Sequence, residues 1–257
     1  MKKTFYLLSF TFLLLQSCSS GDSNTTNNSL LTGKLKRTHT VSSNGQNSYS
    51  NFFYDGNGQL IKVTAGNESG SIIVESYVFT RNSNGKIVNV LFNNYNSPRQ
   101  INYAYTLDSN QNYLTCLITY TPSTTENSTG EVYVYSGNKI SQINYSDGRK
   151  EKYTYDSNEN IIKVDESIGN SAWVTYANYT YDNRVNPFQF QDFNFGRFQY
   201  YGNNNITSET KVNQPVNYTN IWQYNYNSNN KPSSSTFTRS NSQSSQIITG
   251  SGEYFYY

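Results

Sequence analysis

Aromatic and polar residues alternate along this chain with a period of two. Tyr-x-Tyr triplets recur at residues 103/105, 133/135, 153/155, 179/181 and 224/226. Because successive side chains of a β-strand point to opposite faces, this spacing places both rings of a triplet on one face of a strand. Threonine, valine and isoleucine, which also favour strands, fill the positions between the triplets. No apolar stripe with helical spacing is visible, so the pattern predicts an all-β protein.

A turn signal follows each aromatic triplet, and it is clearest between Lys152 and Val164. There, Tyr153-Thr154-Tyr155 leads into Asp156-Ser157-Asn158-Glu159-Asn160 and then into a second apolar run. Aspartate, asparagine and glycine cap their own turns and tolerate left-handed backbone conformations. Each copy of the pattern therefore predicts a β-hairpin, with a strand, a tight turn and a second strand.

Weaker copies of this hairpin recur from residue 50 to residue 257, about 20 to 28 residues apart. The residues that precede their turns are Tyr54, Arg81, Leu107, Tyr135, Tyr155, Tyr181, Tyr201 and Tyr226. Eight hairpins and a closing strand from Glu253 to Tyr257 give about seventeen strands, and an open sheet of that size twists and curls. We expect repeated antiparallel hairpins in one large curled meander sheet with an aromatic inner face. The alternative is a β-propeller with two hairpins per blade, although the uneven spacing argues against it.

Two of the copies carry a Tyr-Asp-x-x-Gly-x-apolar pattern or a close variant of it, at Tyr54–Leu60 and at Tyr155–Ile161. This pattern resembles the YD repeat of RHS-type proteins, and the segment Tyr181–Phe188 is similar to uncharacterised lipoproteins of flavobacteria and other Bacteroidota. The resemblance covers most of residues 50–257, but the copies near residues 79, 133 and 200 lack the aspartate. RHS repeats form β-rich shells that can enclose a toxin domain, and they are associated with carbohydrate binding. The resemblance implies the hairpin repeat here and not the cargo-shell role.

The N-terminus carries the features of a secretion signal. Met1-Lys2-Lys3 is followed by an apolar run from Phe5 to Leu15 and by Gln16-Ser17-Cys18. The run is too short to span a bilayer. The segment resembles the lipobox of bacterial lipoproteins, which implies that residues 1–17 are removed and that Cys18 becomes the lipid attachment site. The alternative is an ordinary signal peptide that contains a cysteine.

The rest of the chain divides into a tether and one domain. Residues 18–33 are rich in serine, asparagine, threonine and glycine, and such a segment cannot bury enough apolar surface to fold. The remaining residues, about 225 in number, could form one domain or two, and we expect residues 34–257 to form a single hairpin-repeat domain. Ser19, rather than an aspartate, follows the expected acylated residue, which favours a lipid-anchored protein at the outer membrane. That protein would face the periplasm or, given the single acidic residue Asp22 in the tether, the cell surface.

Charge excludes one class of partner. The chain has 19 basic and 17 acidic residues, and removal of Lys2 and Lys3 leaves 17 of each. No stripe of lysine and arginine is present, so we expect no nucleic-acid partner.

The turns that begin at Asp55, Asp108 and Asp156 resemble the start of a calcium loop. An EF-hand loop also needs glycine at its sixth position and glutamate at its twelfth. None of the three segments has glycine at the sixth position or glutamate at the twelfth. We therefore interpret these segments as turns and expect neither a metal site nor a cofactor.

Catalytic patterns are weak. His39 is the chain's one histidine and precedes the first hairpin, and no Gly-x-Ser-x-Gly motif occurs. Cys116 has the pattern of a buried strand residue. Paired carboxylates, Asp165 with Glu166 or Asp147 with Glu151, are the remaining enzymatic hypothesis, since glycoside cleavage uses two such groups. Acidic residues at hairpin ends are usually solvated, so we expect that the protein is not an enzyme.

Aromatic residues give the better functional hypothesis, because sugars stack on exposed rings while amide side chains bind their hydroxyls. Candidate ligand-binding aromatics are Trp173, Tyr176, Trp222, Tyr224 and a phenylalanine-rich segment at residues 190–201. The alternative is that these rings form the core, since leucine and methionine are scarce. The sequence therefore predicts a membrane-anchored binding module for a polysaccharide or a protein. The alternative function is a structural or assembly protein of the cell envelope that binds no small ligand.

Overall fold

Sixteen antiparallel strands make up a computed structural model, which describes residues 30–67, 72–97, 99–122, 129–188, 202–213 and 216–257. The signal segment, Cys18, most of the tether and the phenylalanine-rich segment lie outside the described residues. The strands are β1 Leu35–Ser42, β2 Asn47–Tyr54, β3 Leu60–Gly66, β4 Ile73–Arg81, β5 Ile87–Asn94, β6 Gln100–Leu107, β7 Tyr113–Thr121, β8 Thr129–Ser136, β9 Lys139–Tyr145, β10 Arg149–Tyr155, β11 Ile161–Ile168, β12 Val174–Val185, β13 Asn204–Lys211, β14 Tyr218–Tyr226, β15 Pro232–Asn241 and β16 Ser244–Tyr256. Within the described ranges, no helix is long and apolar enough to cross a membrane.

The sheet closes on itself. Each strand pairs with its neighbours in sequence, and β1 also pairs with β16, where Thr38 lies opposite Tyr254. The expectation of an open curled meander is therefore wrong, and so is the propeller alternative, because all sixteen strands belong to one barrel. The physical reason is β1, which carries no tyrosine triplet. β1 pairs with both β2 and β16, the two strands that would otherwise be the edges of an open sheet with unpaired backbone N–H and C=O groups.

The two ends of the barrel differ. At one end, which we call the turn end, lie the aspartate turns, the start of β1 and the end of β16, where Gly33 N donates to Tyr257 O (3.0 Å) and Tyr257 N donates to Lys34 O (3.0 Å). The connections between successive hairpins lie at the other end, which we call the mouth. The repeat at Tyr181 lies on β12, and the one counted separately at Tyr201 lies outside the described residues; because β12 pairs directly with β13, these two strands form one hairpin whose connection leaves β12 at the turn end.

The turns have the chemistry that the sequence predicts. In the turn after Tyr155, Asp156 Oδ1 accepts hydrogen bonds from the backbone N–H groups of Asn158 (2.9 Å) and Asn160 (2.8 Å). The fourth residue, Glu159, has a positive φ of 68°. The corresponding left-handed positions in four other turns are Gly58, Gly85, Gln111 and Asn230. The aspartate oxygens thus cap their own turns, in agreement with the turn interpretation.

Tyrosine hydroxyls join neighbouring hairpins at five of the interfaces between them. The Tyr155 hydroxyl on β10 donates to Ile140 O on β9 (2.7 Å), beyond the last backbone pair of these strands, Lys152 with Gln142. Equivalent bonds run from Tyr54 to Leu35 O (2.7 Å), from Tyr181 to Ile161 O (2.6 Å), from Tyr224 to Ile206 O (2.9 Å) and from Tyr256 to Pro232 O (2.8 Å). Burial raises the pKa of Tyr155 to about 12, so its hydroxyl keeps the proton that it donates.

The two faces of the barrel wall have different compositions. Because the inside of a closed barrel is concave, the alternating buried residues of each strand face the lumen. They include Phe52, Ile87, Tyr133, Ile143 and Tyr179. The outward positions are mainly threonine, asparagine and serine, with charged residues such as Lys62, Lys152, Lys163 and Asp165. The inner face is therefore rich in aromatic side chains, and the outer face is mainly polar with exposed apolar residues such as Phe53, Leu117 and Val132 among the polar ones.

Candidate functional site

Small residues line the lumen on one sector of the wall, where β15, β16 and β1 meet. Ser235 on β15 lies opposite Gly252 on β16, and Gly252 lies opposite Thr40 on β1. A Cβ atom on Gly250 would lie 2.3 Å from the Phe237 ring, and one on Gly252 would lie 2.9 Å from Ser235 Oγ. Glycine is therefore required at residue 250, where a Cβ would also lie 2.4 Å from Val41 O, whereas at residue 252 a side chain would have to displace the Ser235 hydroxyl. The lumen wall is recessed at these two glycines relative to the larger side chains around them.

Aromatic side chains surround this sector and form what we call the recess. It consists of two adjoining cavities of about 130 Å³ and 170 Å³, to which Phe188, Trp222 and Tyr254 are common. Phe237, Thr38 and Ser235 contribute to the first cavity, and Tyr224, Asn186 and Asn205 to the second. Rings on several sides with a few hydroxyl and amide groups are typical of small-molecule and sugar sites.

The connection between β12 and β13 places Phe188 in the recess. Asn186 is 4% exposed, and its Nδ2 donates to Gly202 O (2.9 Å) while its Oδ1 accepts from Phe188 N (3.0 Å). Phe188 then packs against Phe52 of β2, with ring centroids 6.0 Å apart. This segment thus crosses the lumen from β12 towards β2 and closes one side of the recess.

A polar network adjoins the recess on its mouth side. Asn220 Nδ2 donates to Glu209 Oε2 (2.7 Å), and Asn220 Oδ1 accepts from Arg239 Nε (2.7 Å). Lys211 Nζ lies 3.7 Å from Glu209 Oε1. Burial alone would lower the pKa of Lys211, but its hydrogen bond with Tyr218 and the charge of Glu209 outweigh burial and raise it. Lys211 is therefore a cation at physiological pH.

A second polar cluster lies on the wall formed by β8 to β11. The Tyr133 hydroxyl donates to Glu131 (2.5 Å), the Tyr153 hydroxyl donates to Glu151 (2.5 Å), and Arg149 forms an ion pair with Glu151. Burial raises the pKa of Glu131, and the neighbouring charge of Glu151 acts in the same direction. Glu131 thus holds its proton more tightly in the folded protein than in water.

The structure separates the four sequence-predicted aromatics. Trp222 and Tyr224 come together in the recess. Tyr176 instead lines a cavity of about 570 Å³ at the rim of the mouth, together with Glu166 and Asn213. Trp173 lies outside the lumen, where Lys152 Nζ sits 4.2 Å from its ring centroid.

Neither proposed carboxylate pair forms a site. Asp165 accepts a hydrogen bond from Thr175 (3.1 Å) on the outer face, whereas its neighbour Glu166 faces inward. Asp147 caps its own turn by accepting from Arg149 N (2.9 Å). The pairing across strands that sequence spacing missed is Glu151 opposite Glu166. Cys116 is 1% exposed on β7, so the prediction of a buried strand residue is confirmed.

The network of Glu209, Lys211, Asn220 and Arg239 was not predicted from the sequence. These residues come from three strands, and only the registers of β13 with β14 and of β14 with β15 bring them together. Their alternation with neighbouring aromatic residues, Tyr218 and Trp222 beside Asn220, and Phe237 beside Arg239, is the signal that places them on the lumen face.

No protein-family model and no curated protein matches this chain. Among solved structures, a porin-like protein from Bacteroides uniformis is similar, with a TM-score of 0.58 and 13% identity over 88% of this chain and 98% of that one. The similarity shows the barrel fold. Two structures, TcdB2-TccC3-TEV and TcdB2-TccC3-Cdc42, match 12% of their own length with TM-scores of 0.30 and 0.32 at 9% identity, and these values do not establish a shared fold.

The raised pKa of Glu131 makes stability depend on pH. Because folding strengthens proton binding here, this contribution is complete below the ordinary pKa of glutamate and is lost as pH rises through the folded value. We expect wild-type protein to lose more stability between pH 5 and pH 8 than Glu131→Gln, measured by urea unfolding. Glu159→Gln, at an exposed turn, serves as the control and keeps the wild-type pH profile. Identical profiles for Glu131→Gln and wild type would contradict the assignment.

Proposed function

We propose that this protein is a lipid-anchored barrel at the outer membrane that binds a glycan in its lumen. The observation that carries the proposal is the recess, where Trp222, Tyr224, Tyr254 and Phe188 surround a floor of serine, threonine and glycine. Aromatic faces cover the apolar faces of a sugar ring, and the nearby hydroxyl and amide groups bind its polar edge.

The start of β1 at the turn end indicates which end of the barrel faces the membrane. Residues 18–33 would run from an acylated Cys18 to the turn end, where β1 begins at Leu35. Fully extended, such a tether reaches roughly 50 Å. The turn end then faces the membrane, and the mouth and the connections of variable length between hairpins face away from it.

The outer surface supports a barrel beside the bilayer rather than within it. One solved structure that this chain resembles is described as porin-like, which is consistent with an outer-membrane location. A barrel that spans a membrane is apolar outside and polar inside, and a lysine facing the middle of the bilayer costs about 2–4 kcal/mol. Here the outward positions include Lys62, Lys152 and Lys163 as well as scattered apolar residues, whereas the buried apolar and aromatic side chains face the lumen.

A second candidate function is assembly with an envelope protein. Four exposed apolar side chains lie close together on the outer face of β7 and β8, namely Leu114 (44% exposed), Leu117 (51%), Val132 (49%) and Val134 (40%). Contiguous apolar patches of this kind favour contacts between proteins. Crosslinking in cells distinguishes the two functions: loss of a crosslinked partner in Leu117→Asp would support assembly, and the absence of any partner would count against it.

The glycan proposal predicts that Trp222 is essential and that Trp173 is not. In binding of mature protein to a glycan array, Trp222→Ala should lose at least about tenfold in affinity, because a buried aromatic anchor typically contributes more than 1 kcal/mol. Trp173→Ala is the matched control, since this residue lies on the outer surface. No binding by wild type, or equal loss in both variants, would overturn the proposal.

Anchorage predicts different roles for the chain's two cysteines. Cys18→Ala should abolish incorporation of a labelled fatty acid and shift the protein from the membrane fraction to the soluble fraction, since acyl chains supply the attachment. Cys116→Ala should remain labelled, because Cys116 is buried in the barrel wall. Wild-type protein that takes up no label would show that Cys18 is not acylated.

A further inference from the structure

We propose that the glycan bound by the recess is acidic, and that Arg239, assisted by Lys211, binds its oxyanion. The inference rests on the proposed glycan-binding function and adds the chemical class of the ligand. The oxyanion is a carboxylate or a sulfate, and the probes described below separate the two.

The placement of Arg239 follows from strand register. Phe237 and Arg239 are alternate residues of β15, so both face the lumen, about 7 Å apart along the strand. Opposite them on β14 lie Trp222 and Asn220. Because β15 runs from the turn end to the mouth, Arg239 lies one lumen-facing position outside the ring of aromatics, where a substituent of a bound sugar would reach.

Two buried residues orient the guanidinium. Asn220 is 1% exposed and Glu209 is 2% exposed. Glu209 accepts from Asn220 Nδ2, which fixes the amide so that its Oδ1 accepts from Arg239 Nε at 2.7 Å. This bond uses Nε and leaves the pair of terminal nitrogens for another partner. That pair has the fork geometry that matches a carboxylate or sulfate.

The local charge is positive. Glu209 is paired with Lys211, at 3.7 Å. Arg239, in contrast, is solvent-exposed, and its interactions among the described residues are the hydrogen bond to Asn220 and a contact of 5.3 Å with the Tyr218 ring, neither of which supplies a negative charge. Lys211 Nζ lies 5.4 Å from the same ring centroid. Two cations thus flank Tyr218 beside one carboxylate.

The other side of the lumen has the opposite balance. The second cluster contains three carboxyl groups, Glu131, Glu151 and Glu166, beside one guanidinium, Arg149; Arg149 neutralises Glu151, and the negative charge of the cluster comes from Glu166 and from the ionised fraction of Glu131. An anionic ligand is therefore repelled from the wall of β8 to β11 and attracted to the wall of β13 to β15, which is where the recess opens. The distribution of charge across the lumen favours an acidic saccharide over a neutral one.

The test uses three oligosaccharide probes of equal length with mature protein: an oligogalacturonate, a sulfated oligogalactose and an unmodified oligogalactose. We expect wild type to prefer one of the acidic probes over the neutral one by at least tenfold at low salt, with the preference shrinking as salt is added. Arg239→Gln should lose most of that preference and retain neutral binding. Lys211→Gln should lose a smaller part, and Arg239→Lys should fall between wild type and Arg239→Gln.

Controls separate failure of this inference from failure of the proposed function. Lys62→Gln removes an outward-facing cation and should change nothing, while Trp222→Ala should weaken acidic and neutral probes alike. If wild type binds all probes equally and Trp222→Ala loses them, the acidic preference is wrong and the glycan site stands. If Arg239→Gln weakens every probe equally with unchanged melting temperature, Arg239 does not bind an oxyanion. Binding of no probe contradicts both proposals.

Discussion

The hydrogen bond from a tyrosine hydroxyl to a main-chain carbonyl is the interaction on which this barrel depends. Backbone pairing between successive hairpins stops before the turn end, at Arg37 with Asn51 between β1 and β2 and at Lys152 with Gln142 between β9 and β10. A tyrosine hydroxyl spans the gap in five such interfaces, and in a sixth the hydroxyl of Tyr135 accepts from Tyr113 N (3.0 Å). This explains why the repeat places tyrosine, rather than phenylalanine, before the aspartate. The tyrosine joins neighbouring hairpins, and the aspartate closes its own.

This arrangement divides the barrel into two functional halves. Tyrosine bonds and capped turns hold the turn end, and the chain enters and leaves there. The mouth carries no such repeated requirement, so its connections and lumen-facing side chains are free to differ from one hairpin to the next. The two polar networks lie in this less constrained half, whereas the recess reaches towards the turn end, since Asn205 and Tyr224 line it. The recess exists because β15, β16 and β1 have serine, threonine and glycine where the other strands have larger side chains.

Local features of this structure could be predicted from the sequence, and long-range features could not. The two-residue period and the aspartate turns depend on neighbouring residues, so the hairpins and the self-capping of their turns follow directly from the pattern. Closure depends on β1, whose Lys36-Arg37-Thr38-His39 segment has no aromatic triplet, and on its pairing with a strand more than 200 residues away. The same limit applies to the site. Trp222 and Tyr224 could be identified as aromatic candidates, but the role of Arg239 depends on the register between β14 and β15.

Removal of the tyrosine hydroxyls tests the account most directly. Tyr54, Tyr155, Tyr181, Tyr224 and Tyr256 are changed together to phenylalanine, and the free energy of unfolding is measured in urea. Each hydrogen bond contributes about 0.5–1.5 kcal/mol, and well-separated sites add, so the account predicts a loss of several kcal/mol. Tyr49→Phe, on the outer face where Tyr49 stacks against His39, is the control and should be nearly neutral. A fivefold variant as stable as the wild type would contradict the central role of these bonds.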